Sequence, residues 1–368
     1  MRIYFSEVLK MRKFFSVMRN PKINVAATAV CFSALSALLL ATSGMDIVAD
    51  TGMKIKELSA NVSADYKKYE GTDENANRLD RYLSEKTDEN VPWLEGGYVT
   101  EEDEKKGAYP IVERFSKGAD YMDHADGIYV INEHDIDFDI SELLKKTPPA
   151  IPKKGVDEPQ ILIVHTHTTE CYHSGSADSY DKSETFRTQD AAENMINIGN
   201  IIEQRLTSAG YSVIHSTKIH DLDYNHSYSS SYADITAYKQ KYPSIKVVLD
   251  VHRDCLLASD GTRYKTVTTL NGETSAQLMF LVGAGNATYR FPTWQNNFGL
   301  AIHLQDTANK LYPTLMRPMI VSNSRFNQHL TDGSMLLEVG SDANTKEEAE
   351  RAADYFADVM ITYFDGEQ

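Results

Sequence analysis

The sequence has too little positive charge for a nucleic-acid-binding protein. It contains 37 Lys and Arg against 53 Asp and Glu, which gives a formal net charge of −16 at pH 7. The first 43 residues hold six basic residues and one acidic residue, so the rest of the chain carries a net charge of −21. A surface this acidic repels phosphate backbones. We therefore expect no nucleic acid among the partners of this protein.

Cysteine is also scarce, and common cofactor signatures are missing. Of the three cysteines, Cys31 lies in an apolar segment, which leaves Cys171 and Cys255. Spacing alone does not establish a disulfide between these two, so we expect small buried thiols, although pairing in an oxidising compartment stays open. Residues 283–285 supply only part of a dinucleotide-binding glycine fingerprint. The sequence thus gives no usable indication of a nucleotide cofactor.

One long uncharged run lies near the N-terminus. Residues 23–44 carry no charge and are mostly apolar, and about 20 such residues can cross a bilayer as a helix. Basic residues precede the run and acidic residues follow it, which predicts a cytoplasmic N-terminus and an extracytoplasmic remainder. Small residues at 41–44 would also suit cleavage of a signal peptide. We expect a basic cytoplasmic segment (1–22) and a retained single-pass cell-membrane anchor (23–44).

The rest of the chain divides into a linker and a folded region. Residues 45–120 are polar and predict an extracytoplasmic linker, and residues 121–155 combine short alternating β segments with a Pro-rich boundary. From residue 156 to residue 368, apolar strand patterns alternate with amphipathic helix patterns. This alternation predicts an α/β catalytic domain whose mixed, mostly parallel sheet is flanked by helices.

Polar side chains that suit zinc follow the buried strands of this region. Four apolar residues at 161–164 lead into His165, His167 and Glu170, and a second apolar run leads into His252. The carboxyl ends of strands are the usual place for a site in an α/β sheet. Two histidines and one glutamate suit Zn²⁺ and leave a fourth position for water. A further carboxylate, Glu338 between apolar neighbours, is what a zinc hydrolase needs to handle protons.

We assign roles to these residues as predictions. His165, Glu170 and His252 are the expected metal ligands, with a catalytic or supporting role for His167. On an extended strand His165 and His167 would share one face, so either could be the ligand. Glu338 is the expected general base; a salt-bridged core carboxylate is the alternative. Asp254, next to Arg253, could orient a ligating imidazole, although an ordinary Arg–Asp pair fits equally well.

Three separated motifs resemble the stage II sporulation protein P family. They are Ile-Leu-Ile-Val-His-Thr-His-Thr-Thr-Glu-Cys-Tyr at 161–172, Asp-Val-His-Arg-Asp at 250–254, and Leu-Leu-Glu-Val-Gly at 336–340. The resemblance covers roughly residues 120–368, and the basic N-terminus, single span and linker fit it as well. It implies a fold similar to zinc-dependent N-acetylmuramoyl-L-alanine amidases. It also implies that His165, Glu170 and His252 match metal ligands and that Glu338 matches the catalytic glutamate.

The resemblance further implies an activity and partners. The expected activity is hydrolysis of the N-acetylmuramoyl-L-alanine amide bond of peptidoglycan, with endopeptidase activity on cross-links in some members, during engulfment in sporulation. The implied partners are the stage II sporulation proteins D and M. The rival interpretations are a membrane-anchored zinc carboxypeptidase or carbohydrate deacetylase, and a wall-binding scaffold without catalysis. A scaffold has no use for a buried unpaired carboxylate such as Glu338.

Overall fold

The computed structural model describes residues 108–175 and 178–367. The predicted cytoplasmic segment, the anchor and nearly all of the linker therefore lie outside the described residues. Within the described ranges, no helix is both long enough and apolar enough to cross a membrane. Two β-sheets and the helices that cover them make up this part of the chain.

An eight-stranded sheet forms the centre, in the order β2-β3-β11-β10-β12-β7-β4-β6. Its strands are β2 (Asp123–Ala125), β3 (Ile128–Asn132), β4 (Ile161–Val164), β6 (Val213–His215), β7 (Val247–Asp254), β10 (Leu278–Gly283), β11 (Met319–Ser322) and β12 (Ser334–Ser341). The short β segments predicted after residue 120 thus lie at one edge of the main sheet, since β3 pairs with β11.

A second, four-stranded sheet has the order β5-β1-β8-β9. Its strands are β1 (Ala108–Arg114), β5 (Ser179–Asp181), β8 (Arg263–Leu270) and β9 (Glu273–Ala276). Asn-Gly between two β segments is a sequence signal for a tight hairpin, and β8 and β9 do pair antiparallel across Asn271 and Gly272. Both have positive φ (52° and 85°), the conformation that a two-residue type I′ turn requires.

Five helices are found within the described ranges: α1 (Ile140–Leu144), α2 (Met195–Ser208), α3 (Ser227–Lys241), α4 (Trp294–Leu311) and α5 (Lys346–Gly366). Short 3₁₀ turns precede α3 at Tyr224–His226 and β12 at Gln328–Leu330. Thr345 with Glu348 three positions later is the sequence pattern of a capping box. The structure contains this box at the start of α5, since the Thr345 side chain accepts from the Glu348 N–H while the Glu348 carboxylate accepts from the Thr345 N–H.

The core explains why β4 is apolar along its whole length. Ile161 and Ile163 face the larger core cluster, which includes α2, whereas Leu162 and Val164 pack with Ile235 of α3 on the other face. Successive strand residues point to opposite faces, so a strand covered on both sides reads as a continuous apolar run. This covering fixes β4 and β7, which carry the polar motifs at their carboxyl ends.

The expectation of a mostly parallel sheet needs correction, because both sheets are mixed. Among the described strands, four of the ten neighbouring pairs are antiparallel: β1–β5, β2–β3, β8–β9 and β10–β12. Apolar runs such as β10 and β12 indicate burial on both faces but carry no information on strand direction. The centre of the sheet, from β12 through β7 and β4 to β6, is nevertheless parallel.

Candidate functional site

Three adjacent parallel strands bring the polar motifs together. β7 pairs with β4 on one side and with β12 on the other, so the carboxyl ends of the three strands meet. Glu338 of β12 lies directly opposite His252 of β7 in the strand register. Immediately beyond this pair the register shifts, and Gly340 adopts a positive φ of 64°. This bulge ends regular pairing next to Glu338, a common device beside functional sites.

His252 is held between two carboxylates. Its Nδ1 lies 3.4 Å from Oε2 of Glu170, and its Nε2 lies 2.9 Å from Oδ1 of Asp250. The Nε2 contact is close but not well aligned, since this atom has no partner in good hydrogen-bond geometry within the described part of the chain. Burial lowers the pKa of His252, but Asp250 and Glu170 outweigh it and hold that pKa well above its ordinary value.

Glu170 is buried among cations. Its Oε1 lies 3.6 Å from Nη1 of Arg253 and 3.5 Å from Nη2 of Arg187. Burial opposes ionisation, but Arg253 and His252 hold the pKa of this carboxyl far below its usual range. Arg253 is itself fixed by donating to the carbonyl oxygens of Cys171 and Phe186, at 3.1 and 2.9 Å. Glu170 is therefore a pre-formed, oriented carboxylate.

The two histidines of the first motif occupy different places. The prediction that they share a face is wrong, because β4 ends at Val164 and residues 166–169 form a turn. Nδ1 of His165 lies 2.9 Å from the Val251 carbonyl oxygen and its Nε2 lies 2.8 Å from Nε2 of His215. Both ring nitrogens of His165 are thus already engaged within the fold.

His167 instead reaches the other predicted site residues. Its ring meets that of His252 edge-on, with the centroids 5.3 Å apart, and stacks in parallel on Tyr224 at 4.8 Å. Its Nδ1 is buried and finds no hydrogen-bond partner among the residues that the structure describes. Burial lowers the pKa of His167 to about 4, which favours the neutral form that can bind a metal.

Glu338 is a further site residue with an unsatisfied polar atom. Its Oε2 is buried, and no hydrogen-bond partner for it occurs within the described ranges. Burial, with a contribution from the negative charge of Asp254, raises the pKa of Glu338 to about 8. A raised pKa in a carboxyl beside a cluster of titratable groups is typical of a functional site.

Asp250 is the residue whose role the sequence did not reveal. It is 4% exposed, and it accepts hydrogen bonds from the backbone N–H (2.8 Å) and the hydroxyl (2.6 Å) of Thr166. Asp254, which was predicted to support an imidazole, pairs with Arg317 at 2.7 Å. The sequence contains a partial signal, because Asp250 is the one charge within the apolar run before His252, but Asp254 has the same two-residue spacing from His252 on the other side.

His167, Glu170 and His252 offer the donor atoms that zinc prefers, and one of the distances between them suits a bound zinc ion. No group of three or more His, Cys, Asp or Glu side chains within residues 108–175 and 178–367 is already arranged to hold a metal. However, ligand atoms about 2.0–2.1 Å from a tetrahedral ion lie roughly 3.4 Å apart, which matches the distance from His252 Nδ1 to Glu170 Oε2. The unpartnered Nδ1 of the adjacent His167 supplies a third donor of the right type. The set could therefore hold Zn²⁺ once His252 gives up its proton.

The two free thiols lie close to this site in sequence. Cys171 is partly buried and Cys255 lies at the surface, so the expectation that both are buried is wrong for Cys255. Burial raises the pKa of the Cys171 thiol to about 11, and a thiol with so high a pKa is a poor nucleophile and metal ligand.

Fold and site together define an α/β protein with a buried histidine–carboxylate cluster at the carboxyl ends of its central strands. The family described as stage II sporulation protein P matches residues 48–361, and the chain belongs to that family. Stage II sporulation protein P of Bacillus subtilis (strain 168) is 28% identical over 241 residues, which are 62% of this chain and 56% of that protein. The chain thus spans little more than half the length of this curated relative.

Solved amidase structures are similar at a much lower level. The N-acetylmuramoyl-L-alanine amidase AmiC2 of Nostoc punctiforme is 8% identical, with 56% of this chain and 96% of that chain covered and a TM-score of 0.33. The CwlD amidase from Clostridioides difficile, in complex with the GerS lipoprotein, is 12% identical, with 56% and 97% covered and a TM-score of 0.34. TM-scores this low do not by themselves establish a shared fold.

Proposed function

We propose that the protein is a peptidoglycan hydrolase that cleaves the amide bond between N-acetylmuramic acid and L-alanine during sporulation. One observation carries this proposal. A buried carboxyl with an unpartnered oxygen, Glu338, lies in register with His252, which is itself 3.4 Å from Glu170. Membership of the stage II sporulation protein P family supports the sporulation context.

In this proposal His167, Glu170 and His252 hold the metal, and His165 supports the fold behind them. Zinc bound there would lower the pKa of a water molecule and polarise the scissile carbonyl. Glu170 binds as an oriented carboxylate because Arg253 and Arg187 fix its Oε1. Oδ1 of Asp250 lies 2.9 Å from Nε2 of His252, so this carboxylate would engage Nε2 and leave Nδ1 of the ring for the metal.

Glu338 handles the protons in the proposed mechanism. Its raised pKa keeps the carboxyl largely protonated at pH 7 in the metal-free protein, and positive charge nearby lowers a carboxyl pKa. Once ionised, Glu338 can take a proton from the attacking water and pass it to the amine of L-alanine as the amide bond breaks. Its unpartnered Oε2 is free for both transfers.

Location and partners are part of the same proposal. Residues 23–44 would anchor the chain in the membrane, with the catalytic domain outside, where the wall substrate lies. Because the chain beyond residue 43 has a net charge of −21, it would adhere poorly to an anionic wall. Recruitment by the sporulation proteins D and M would overcome this weak adhesion. We extend the proposal to endopeptidase activity on peptide cross-links, which the same zinc chemistry permits.

Digestion of purified sacculi tests the proposal. A truncated domain should begin before Ala108, because β1 pairs with β5 and β8 of the second sheet, so we would use the full-length chain. Mass spectrometry should detect free stem peptides and glycan with intact lactyl groups, and Glu338→Gln should abolish both products. Deacetylated sugars or shortened stem peptides would identify a different enzyme. An absence of products at full zinc loading would indicate a scaffold.

A further inference from the structure

Exposed apolar side chains are concentrated beside the candidate site. Of the seven large hydrophobic residues that are exposed within the described ranges, three lie in one stretch of eleven residues: Leu222 (70% exposed), Tyr224 (46%) and Tyr232 (40%). Scattered single exposures are ordinary, whereas a cluster commonly marks a binding surface. Together with the partly buried Tyr228, we call these residues the tyrosine strip.

The tyrosine strip is continuous with the candidate site. Tyr228 and Tyr232 are four residues apart on α3, a spacing that places their side chains on one side of the helix, about 6 Å apart. Tyr224 lies in the 3₁₀ turn that leads into α3. Tyr224 stacks on His167, and Tyr228 meets the same imidazole edge-on at 5.7 Å. At the far end, the ring of Tyr232 lies 6.0 Å from that of His329 and nearly parallel to it.

The strip is also held in place by a strained loop. The Asn327 amide donates to the Tyr228 carbonyl oxygen (2.8 Å) and to the Ser231 hydroxyl (3.0 Å), which fixes the middle of the strip. Asn327 and Phe326 have φ of 56° and 46°, and two successive non-glycine residues in this region are uncommon. Such strain is typical of functional sites. Rigid aromatic groups lose little conformational entropy when a ligand binds.

We propose that the tyrosine strip binds the sugar rings of the glycan strand whose muramic acid enters the candidate site. This inference rests on the proposed amidase function, since the scissile amide joins a glycan to a peptide. Aromatic rings at regular steps suit a polymer of flat rings, because the apolar face of a sugar packs on an aromatic face and its hydroxyls can bond to a phenol.

The charged residues around the tyrosine strip favour binding of the glycan over binding of the acidic stem peptide. Asp223, whose side chain is 66% exposed, lies within the strip. The cation beside Tyr224 is Arg187, which is already bound to Asp221 at 2.7 Å and lies near Glu170. A peptide rich in carboxylates would therefore be disfavoured at the Tyr224 end of the strip, whereas sugar rings whose lactyl groups are amidated, as they are in the uncut wall, carry no charge.

Tyr232 is the residue that tests the proposal, because it contacts no proposed metal ligand or base. The background is full-length Glu338→Gln protein, which should bind without cleaving. Its Kd would be measured by calorimetry for two probes: peptide-free strands of alternating N-acetylglucosamine and N-acetylmuramic acid whose lactyl carboxyls are capped as simple amides, and free stem peptide. Tyr232→Ala should weaken binding of the glycan about three- to tenfold, the effect of losing roughly 1 kcal/mol of aromatic contact.

Two control variants sharpen the test. Tyr232→Phe keeps the ring and should retain most of the affinity. Tyr121→Ala removes a tyrosine that is 54% exposed elsewhere on the protein, and it should leave the Kd unchanged. Thermal unfolding would verify that all variants are folded. An unchanged Kd in Tyr232→Ala, or a loss of peptide binding instead of glycan binding, would overturn the proposal.

Sacculus digestion by the corresponding variants with intact Glu338 separates the two proposals. If the wild type releases amidase products while Tyr232→Ala binds glycan normally, glycan binding by the tyrosine strip is refuted and the amidase function stands. If the wild type binds glycan through Tyr232 but releases no amidase products, the amidase function fails, and with it the role of the strip in presenting substrate. The supporting result is a raised KM for Tyr232→Ala on intact glycan strands, with kcat little changed.

Discussion

Replacing Asp250 by asparagine should weaken zinc binding without removing any ligand. The carboxylate lies 2.9 Å from Nε2 of His252 and is fixed by two hydrogen bonds from Thr166. An asparagine oxygen can still accept from Thr166, but its amide cannot hold a protonated Nε2 as a carboxylate does. Partners of this kind contribute about 10- to 100-fold to metal affinity. The expected loss is therefore roughly 1.4–2.7 kcal/mol of zinc-binding free energy.

The assay is competition for zinc between the purified full-length chain and a chromophoric chelator. Asp254→Asn is the matched control, because it also removes a carboxylate whose side chain is only 11% exposed, yet its partner at 2.7 Å is Arg317. It should lower thermal stability while leaving zinc affinity close to that of the wild type. If Asp250→Asn binds zinc as tightly as the wild type, Asp250 does not position the metal-binding imidazole. Equal losses in both variants would mean that instability, and not the contact with His252, causes the effect.

Three further outcomes follow from the same geometry. His167→Ala should abolish zinc binding measured by competition. His165→Ala should still bind zinc but unfold at a lower temperature, because His215 loses its partner at 2.8 Å. The reverse pattern would make His165 the ligand. Glu338→Gln should keep the melting temperature and zinc content but lower sacculus digestion by about 10²–10⁴-fold; a parallel loss of stability and activity would place Glu338 in a structural role. Thr345→Ala should destabilise by about 1 kcal/mol and Thr345→Ser by much less, as followed by thermal unfolding, since only the former removes the cap oxygen.

The sequence predicts this fold well where local rules act alone. Asn271 and Gly272 specify the hairpin turn, and the capping box of Thr345 and Glu348 specifies the start of α5. The site was predictable in composition because each motif follows an apolar strand, so that strand ends bring the motifs together. Neither inference needs long-range information.

Two features of the site could not be predicted, for physical reasons. Which of His165 and His167 is placed to bind the metal depends on where β4 ends. The residues directly after Val164 are compatible with a strand, so the sequence does not mark this end. Asp250 and Asp254 are equally distant from His252 in sequence, so spacing does not decide which carboxylate contacts its ring. Asp250 makes this contact because Thr166, in the turn after β4, holds its carboxylate. In both cases tertiary contacts decide, through His215 in the first and Thr166 in the second.

The bulge after Glu338 restricts which substitutions the third motif can tolerate. At position 340 a Cβ atom would lie 2.6 Å from Oδ1 of Asn344 and 2.9 Å from Cβ of Ala276, and φ is 64°. Oδ1 of Asn344 already accepts from the Ser341 N–H at 2.8 Å, so it cannot easily withdraw. Backbone geometry therefore requires glycine at position 340, just as the proposed chemistry requires glutamate at position 338. Random mutagenesis should therefore recover inactive chains with an intact catalytic carboxylate, in which position 340 has changed and the carboxylate points elsewhere.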